Sequence, residues 1–260
     1  MKALLLAAGV GSRLAPLTDV WPKSLMPVQG RPLMEYWLRS LEIAGITEVL
    51  VNLHHHHEAV REFLDGVESG LVIKSVFEPE LLNTAGTIRA NSRFFGNEPA
   101  LIIHADNWCH CDLSGFINWH MARRSPQQLI TMMTFLAEEP EKAGVVELDE
   151  HGSVTAFHEK QQNPPGRVAN AAVYILEPEV VGAIQRDITM HDFSLDVIPR
   201  YIGQIGTWHN SEIHRDIGTA ENLVKAQYDS ILDFPTILSA QWRAMFRRSD
   251  IFRKVAALTR

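Results

Sequence analysis

The chain has 260 residues, 46% apolar and 21% charged, an ordinary globular composition that can bury the core of one large α/β domain or of one domain with an appendage. Its formal net charge of −7 argues against a nucleic-acid-binding surface, which is normally basic, so any positive field must be local. No apolar run approaches the ~20 residues of a transmembrane span, and the N-terminus lacks the basic-then-apolar pattern of a secretion signal. The two cysteines, Cys109 and Cys111, lie too close together for a disulfide framework, so a reducing cytoplasmic location is expected.

Residues 2–8 (KALLLAA) read as a buried strand that breaks into Gly9-Val10-Gly11-Ser12-Arg13. Glycines at alternate positions permit a turn with positive φ and close approach of backbone N–H groups to a ligand, a nest suited to phosphates. Arg13 adds a fork of donors, and Lys23 in Trp21-Pro22-Lys23 adds a compact point charge. Gly-x-Gly alone fits an ordinary strand-to-helix turn equally well. Leu14 stands where the dinucleotide fingerprint continues toward its third glycine, and no GK[ST] follows, which excludes a P-loop.

Further along, 32–44 reads as an amphipathic helix with Gly45 at its C-terminus, 48–53 (EVLVNL) as a strand, 58–64 as a helix and 71–77 as a strand. Residues 84–94 read as a helix and 99–104 (PALIIH) as a strand, so βαβ units are expected. Beyond Arg124 the pattern becomes mixed, with strands at 129–136, 144–148, 154–159 and 170–176; Asp149-Glu150-His151-Gly152 signals a hairpin. The tail from Phe234 carries Arg243, Arg247, Arg248, Arg253, Lys254 and Arg260 against Asp250, with large apolar residues between them. A helix pair docked on its own domain, or on a second subunit of a homo-oligomer, is favoured over a membrane-surface helix. The expected division is therefore 1–233 as one domain and 234–260 as a helical tail.

The string LAAGVGSRLAPLTDVWPKSLMPVQGRPL resembles the signature of the sugar-1-phosphate nucleotidylyltransferases, G-x-G-x-R-L…P-K-x-L-x-P-V. The resemblance extends over about 1–230 through five motifs in order. It implies a Rossmann-like three-layer α/β sandwich with a mostly parallel mixed sheet, of the nucleotide-diphospho-sugar transferase type, plus short C-terminal helices. It also implies a loop, Leu6, Ala7, Ala8, Gly9, Gly11 and Ser12, that wraps the triphosphate of an NTP, with Arg13 and Lys23 on its phosphates. The reaction implied is NTP plus sugar 1-phosphate giving NDP-sugar and pyrophosphate. Charge repulsion is the main barrier there, so cations and positioning matter more than a strong base, and Mg2+ suits the site.

Asp106 ends the apolar run ALIIHAD, where open α/β sheets bind ligands. His104-Ala105-Asp106-Asn107 resembles the family's strand-end metal aspartate, with Asn107 on the sugar-phosphate side, and Arg215-Asp216-Ile217-Gly218-Thr219-Ala220-Glu221 resembles W-x-D-I-G-T-P-E, whose aspartate is the other magnesium ligand. Phe157-His158-Glu159-Lys160 resembles F-x-E-K-P, implying Glu159 on the sugar and Lys160 on its phosphate, with Gln161 replacing the proline. Asn170 matches a sugar-contacting N-x-G-x-Y strand, with Ala172 in place of the glycine. Glu80-Leu81-Leu82-Asn83-Thr84-Ala85-Gly86 resembles E-x-L-G-T-A-G, implying that Glu80, Asn83, Thr84 and Gly86 frame the base and sugar pocket. Asn83 replaces a glycine and, of the side chains, tolerates a left-handed backbone best.

Guanylyl transfer to mannose or heptose 1-phosphate is mildly preferred, with GTP as nucleotide. Uridylyl transfer to a hexose or amino-sugar 1-phosphate, cytidylyl transfer to an alcohol phosphate, and a non-catalytic NDP-sugar-binding regulatory subunit are the alternatives. The tail is expected to be too short for the left-handed β-helix domain of some relatives. His54, His55, His56 and His57, and the group His104, Cys109, His110 and Cys111, are expected to bind no functional metal.

Overall fold

The strand Val168–Leu176 organises one of the two units into which residues 1–231 and 234–259, those described by the computed structural model, divide. This first unit comprises Met1–Leu4, Leu82–Ile103 and Cys111–Glu212. Val168–Leu176 runs antiparallel to Ala100–His104, with Val173 opposite Ile103, and antiparallel to Ile130–Leu136, with Leu176 opposite Ile130. Ala169 also pairs with Val145 of Gly144–Leu148, which forms the expected hairpin with Val154–Glu159. Ile205–His209 lies parallel to Ile130–Leu136, so this sheet is mixed, as the change of pattern after Arg124 requires. Val173, Tyr174, Ile175, Leu176, Ile130 and Met132 are all fully buried.

The register of Val168–Leu176 slips between Asn170 and Tyr174, where Ala172 takes φ 56°. An alanine in the left-handed region is uncommon, and here the Asn170 carboxamide holds it, Oδ1 accepting from Ala172 N–H at 2.9 Å. The helix expected at 84–94 is instead two pieces, Asn83–Ala90 and Ser92–Phe95. The two pieces meet at Asn91, which leaves the helical region at φ −111°, while its side-chain N–H and its backbone N–H both donate to the Thr87 carbonyl, at 2.9 and 3.2 Å.

His120, on the helix Leu113–Arg123, is fully buried, with Nδ1 2.8 Å from Thr131 Oγ1 and Nε2 2.9 Å from Glu177 Oε1, which also pairs with Arg124. Burial, reinforced by Arg124, pushes its pKa down to about 4. The unfolded chain binds that proton at an ordinary histidine pKa, so stability is full above about pH 6.5 and is lost as pH falls toward 4. A Tm series from pH 7 to pH 4.5 is expected to fall by several degrees, and His120→Gln to flatten the slope.

The second unit holds Leu5–Leu81, His104–His110 and the chain from Ile213 onward. Glu48–Leu53 runs parallel to Val72–Phe77, with Glu48 opposite Val72 and Leu53 opposite Phe77. The helix Leu33–Ile43 buries Leu33, Trp37, Leu38 and Leu41, and Gly45 just beyond it takes φ 77°. In the tail, Ala240–Arg248 and Asp250–Leu258 are capped by Ser239 and Ser249, whose hydroxyls accept from Trp242 N–H and Phe252 N–H. Trp242 packs edge-on to Phe63 at 5.1 Å and stacks with Phe246 at 4.9 Å, contacts worth about 1 kcal/mol each beyond area burial. Arg260 and the 233/234 boundary expected from the sequence lie outside the described residues. Among the described residues no helix is long and apolar enough to cross a membrane.

Candidate active site

The strand Lys2–Leu6 ends one residue before a buried anchor: Ala7 N–H donates to Asn52 Oδ1 at 2.8 Å, and Asn52 Nδ2 donates to Glu78 Oε1 at 3.1 Å. A buried polar network of this kind holds the backbone to one path. The chain then turns through Gly11 at φ 69°. A Cβ there would sit 3.0 Å from Thr18 Cγ2 and 3.1 Å from Lys23 Cβ, so glycine is required by both conformation and space. Thr18 Oγ1 closes the loop by donating to the Gly11 carbonyl at 3.0 Å.

Two three-residue strands, Asn107–Cys109 and His214–Asp216, pair antiparallel with Asn107 opposite Asp216. That register puts Asp106 and Asp216 side by side although 110 positions separate them in sequence. Both converge on Lys23, whose Nζ donates to Asp106 Oδ2 at 2.8 Å and to Asp216 Oδ1 at 2.7 Å. Arg13 Nη2 donates to the other oxygen of Asp216 at 2.6 Å. Gly218 N–H adds a further donor to Asp216 Oδ1 at 2.8 Å, and a Cβ on Gly218 would lie 2.9 Å from both that oxygen and Arg13 Nη2.

Burial pushes the Lys23 ammonium down, but the Asp106 and Asp216 carboxylates more than offset this and its pKa is raised. Burial likewise works against the charged forms of the two aspartates, yet Lys23 holds both below the usual carboxylate range, helped by His104 for Asp106 and by Arg13 for Asp216. Lys23, Asp106 and Asp216 are therefore all charged at neutral pH. Lys23 is buried, with its side chain only 5% exposed, whereas that of Arg13 is 61% exposed. One cation is a fixed structural charge and the other is accessible to an incoming anion.

The remaining residues singled out from sequence fall in both units. Leu6, Ala7, Ala8, Gly9, Ser12, Glu80 and Asn107 belong with the charged cluster in the second unit; Glu80 is exposed, and the Asn107 carbonyl accepts from Trp37 Nε1 at 3.0 Å. Asn83, Thr84, Gly86, Glu159, Lys160 and Asn170 belong to the first. There Asn83 takes φ 60°, the conformation expected of a residue replacing glycine. Thr84 Oγ1 accepts from Phe193 N–H at 2.6 Å, and the N–H groups of Ala85 and Gly86 both donate to the His191 carbonyl. Asn170 Nδ2 donates to the Tyr174 hydroxyl at 2.5 Å, and Lys160 pairs with Glu159 at 3.2 Å. Asn52, Glu78 and Thr18 were not singled out, although an asparagine inside the apolar run EVLVNL signals a buried polar contact.

His54 Nδ1 lies 2.8 Å from the Glu78 carbonyl, His55 and His56 each place Nε2 3.0 Å from the Thr18 carbonyl, and His57 packs on Phe77. Cys109 lies opposite His214 in the short strand pair. Among the described residues no group of three or more histidine, cysteine or acidic side chains is arranged to hold a metal.

Residues 2–231 match the family model described as Nucleotidyl transferase. The chain belongs to this nucleotidyl transferase family. It is 29% identical over 238 residues to the mannose-1-phosphate guanylyltransferase of Mycobacterium tuberculosis, covering 89% of this chain and 65% of that protein. It is also 29% identical to the UTP–glucose-1-phosphate uridylyltransferase of Synechocystis sp., covering 78% of this chain and 55% of the relative. The chain thus spans between half and two-thirds of the length of these two relatives. A Bacillus anthracis structure described as a glucose-1-phosphate thymidylyltransferase in complex with a sucrose superposes with TM-score 0.82 at 22% identity, over 91% of this chain and 98% of that one. This likeness establishes the Rossmann-like fold with a mixed central sheet flanked by helices.

Proposed function

We propose that the chain transfers a nucleotidyl group from an NTP to a sugar 1-phosphate and releases pyrophosphate, with guanylyl transfer to mannose 1-phosphate or a heptose 1-phosphate preferred. The observation that carries this reading is Lys23 Nζ, held at 2.8 and 2.7 Å by two carboxylates beside the Gly11 turn, with Arg13 on the outer oxygen of Asp216. A nest of backbone N–H groups flanked by an accessible guanidinium suits a triphosphate. The sugar phosphate is already ionised, so its oxygen needs no strong base to attack the α-phosphorus in line, with pyrophosphate leaving opposite. Arg13 can exchange Asp216 for phosphate oxygens, while Lys23 keeps a positive charge beside the transferred group.

Asp106 and Asp216 offer hard oxygen donors on a single ammonium, a set that fits Mg2+, which characteristically takes one or two carboxylates and completes its shell from phosphates and water. When bound, the ion would neutralise triphosphate charge. On the acceptor side we assign Lys160 to the sugar phosphate, Glu159 and Asn170 to the sugar, and Asn83, Thr84 and Gly86 to the frame of the base and sugar pocket. We place the protein in the cytoplasm and read the two C-terminal helices as a docking tail. The Synechocystis relative's name supports uridylyl transfer as the second reading.

A pyrophosphate-release screen of five NTPs against mannose, heptose, glucose and N-acetylglucosamine 1-phosphates and phosphocholine tests the proposal. GTP with mannose or heptose 1-phosphate should give the highest kcat/KM, and added EDTA should abolish turnover. Release with CTP and phosphocholine alone, or with no pair, contradicts it.

A further inference from the structure

We infer that His55 and His56 are positioning residues for nucleotide binding: together they hold the Thr18 carbonyl and, through Thr18, the Gly11 turn. This rests on reading that turn as the triphosphate site. Two histidines of the run are accounted for elsewhere, His54 on the Glu78 carbonyl and His57 against Phe77. The other two converge on a single oxygen, each Nε2 lying 3.0 Å from Thr18 O. A carbonyl offers two lone pairs, and both are used; each ring must then carry its proton on Nε2.

Consecutive side chains ordinarily diverge. Here they meet because His56 takes φ 50°, a left-handed backbone that L side chains seldom adopt, and the two ring centroids lie 3.9 Å apart. Strain of this kind persists only where surrounding contacts enforce it. His56 is tied down in turn as the residue that opens the helix His57–Asp65, its carbonyl accepting from Val60 N–H at 3.3 Å. The pair is therefore anchored on the strand and helix side and reaches across to the loop.

Thr18 passes the restraint on. It is 2% exposed, its hydroxyl donates to the Gly11 carbonyl at 3.0 Å, and its methyl group fills the space that a Cβ on Gly11 would need. Backbone hydrogen bonds within the loop are local, Leu14 to Gly11, Leu17 to Leu14 and Val20 to Leu17, and do not fix it against the rest of the unit. A loop ordered before the ligand arrives binds more tightly because its ordering cost is already met. The histidines touch no substrate; they act through Thr18.

The test compares His55→Leu/His56→Leu with His55→Gln/His56→Gln, since a glutamine amide can still donate to the Thr18 carbonyl. Amide exchange of peptides covering residues 9–20 is followed in the free protein, and KM is measured for GTP and for mannose 1-phosphate. The leucine pair should exchange about tenfold faster at Leu14, Leu17 and Val20, as expected for losing two hydrogen bonds. It should also raise KM for GTP about five- to tenfold, with KM for mannose 1-phosphate within about twofold of wild type. The glutamine pair should restore most of both. If the leucine pair does not fold, Thr18→Val, which breaks only the link to Gly11, should reproduce the exchange and KM effects. Unchanged exchange in a folded leucine pair or in Thr18→Val, glutamine no better than leucine, or faster exchange with unaltered KM for GTP would each overturn the inference. The exchange arm needs no turnover, so a wild-type protein inactive with every NTP counts against the proposed reaction while the brace is still decided.

Discussion

Lys23→Met is expected to lower kcat/KM by about 10³-fold, the largest single loss in the protein. Methionine retains the buried stem but removes the one charge shared by Asp106 and Asp216. Those carboxylates then face each other across the vacated position, and Arg13 alone cannot balance both. Both acids are partly solvated, which limits the cost to about 1–2 kcal/mol of stability at pH 7. The sign of the pH dependence is distinctive. In wild type Lys23 depresses both aspartates, so their stabilisation is present above the ordinary carboxylate pKa and is lost as pH falls through their lowered values. Without Lys23 their pKa values rise, and protonation relieves the repulsion, so the Tm deficit of Lys23→Met should narrow between pH 7 and pH 5. A deficit that is constant over that range would contradict the assignment.

Asp216→Asn is expected to cost about 10²- to 10³-fold in kcat and to destabilise the protein, whereas Asp106→Asn should match it in activity but not in stability. The difference follows from acceptor counting. Asp216 uses both oxygens, Oδ1 for Lys23 and Gly218 N–H and Oδ2 for Arg13. An asparagine has one acceptor oxygen, so in either orientation its NH2 faces a donor. Asp106 is bonded by Lys23 through Oδ2 alone, and an asparagine there can present its oxygen to the ammonium. Thermal denaturation of the two variants beside their pyrophosphate-release rates checks both halves; equal Tm values would show that the donors on Asp216 do not bind as described.

Much of this centre could be read from residue types. The glycine bend needs positive φ where Gly11 has it, and Asn83, standing where the family has glycine, takes the left-handed backbone that asparagine tolerates. The pairing of Asp106 with Asp216 could not be read from periodicity. It rests on two strands of three residues each, too short to show an alternation and far apart in the chain. Only the resemblance of two separate motifs pointed to it. Ala172 stands where the resembled strand has glycine, and its left-handed φ suits that glycine; alanine itself does not signal it, and the register slip and the Asn170 side chain hold it there. The break at Asn91 is local but lies in that residue's backbone angles, which propensity does not specify. The contact of His55 and His56 with Thr18 was invisible for a different reason: the acceptor is a backbone carbonyl, which every residue possesses.

Paramagnetic resonance of Mn2+ used in place of Mg2+, titrated into the protein with and without GTP, tests most directly whether Asp106, Asp216 and Lys23 form a nucleotide–metal centre. Wild type should bind one ion tightly only when GTP is present, and Asp106→Asn/Asp216→Asn should weaken that binding by at least about tenfold while remaining folded. Mn2+ and GTP bound by the folded double variant as tightly as by wild type would contradict the account.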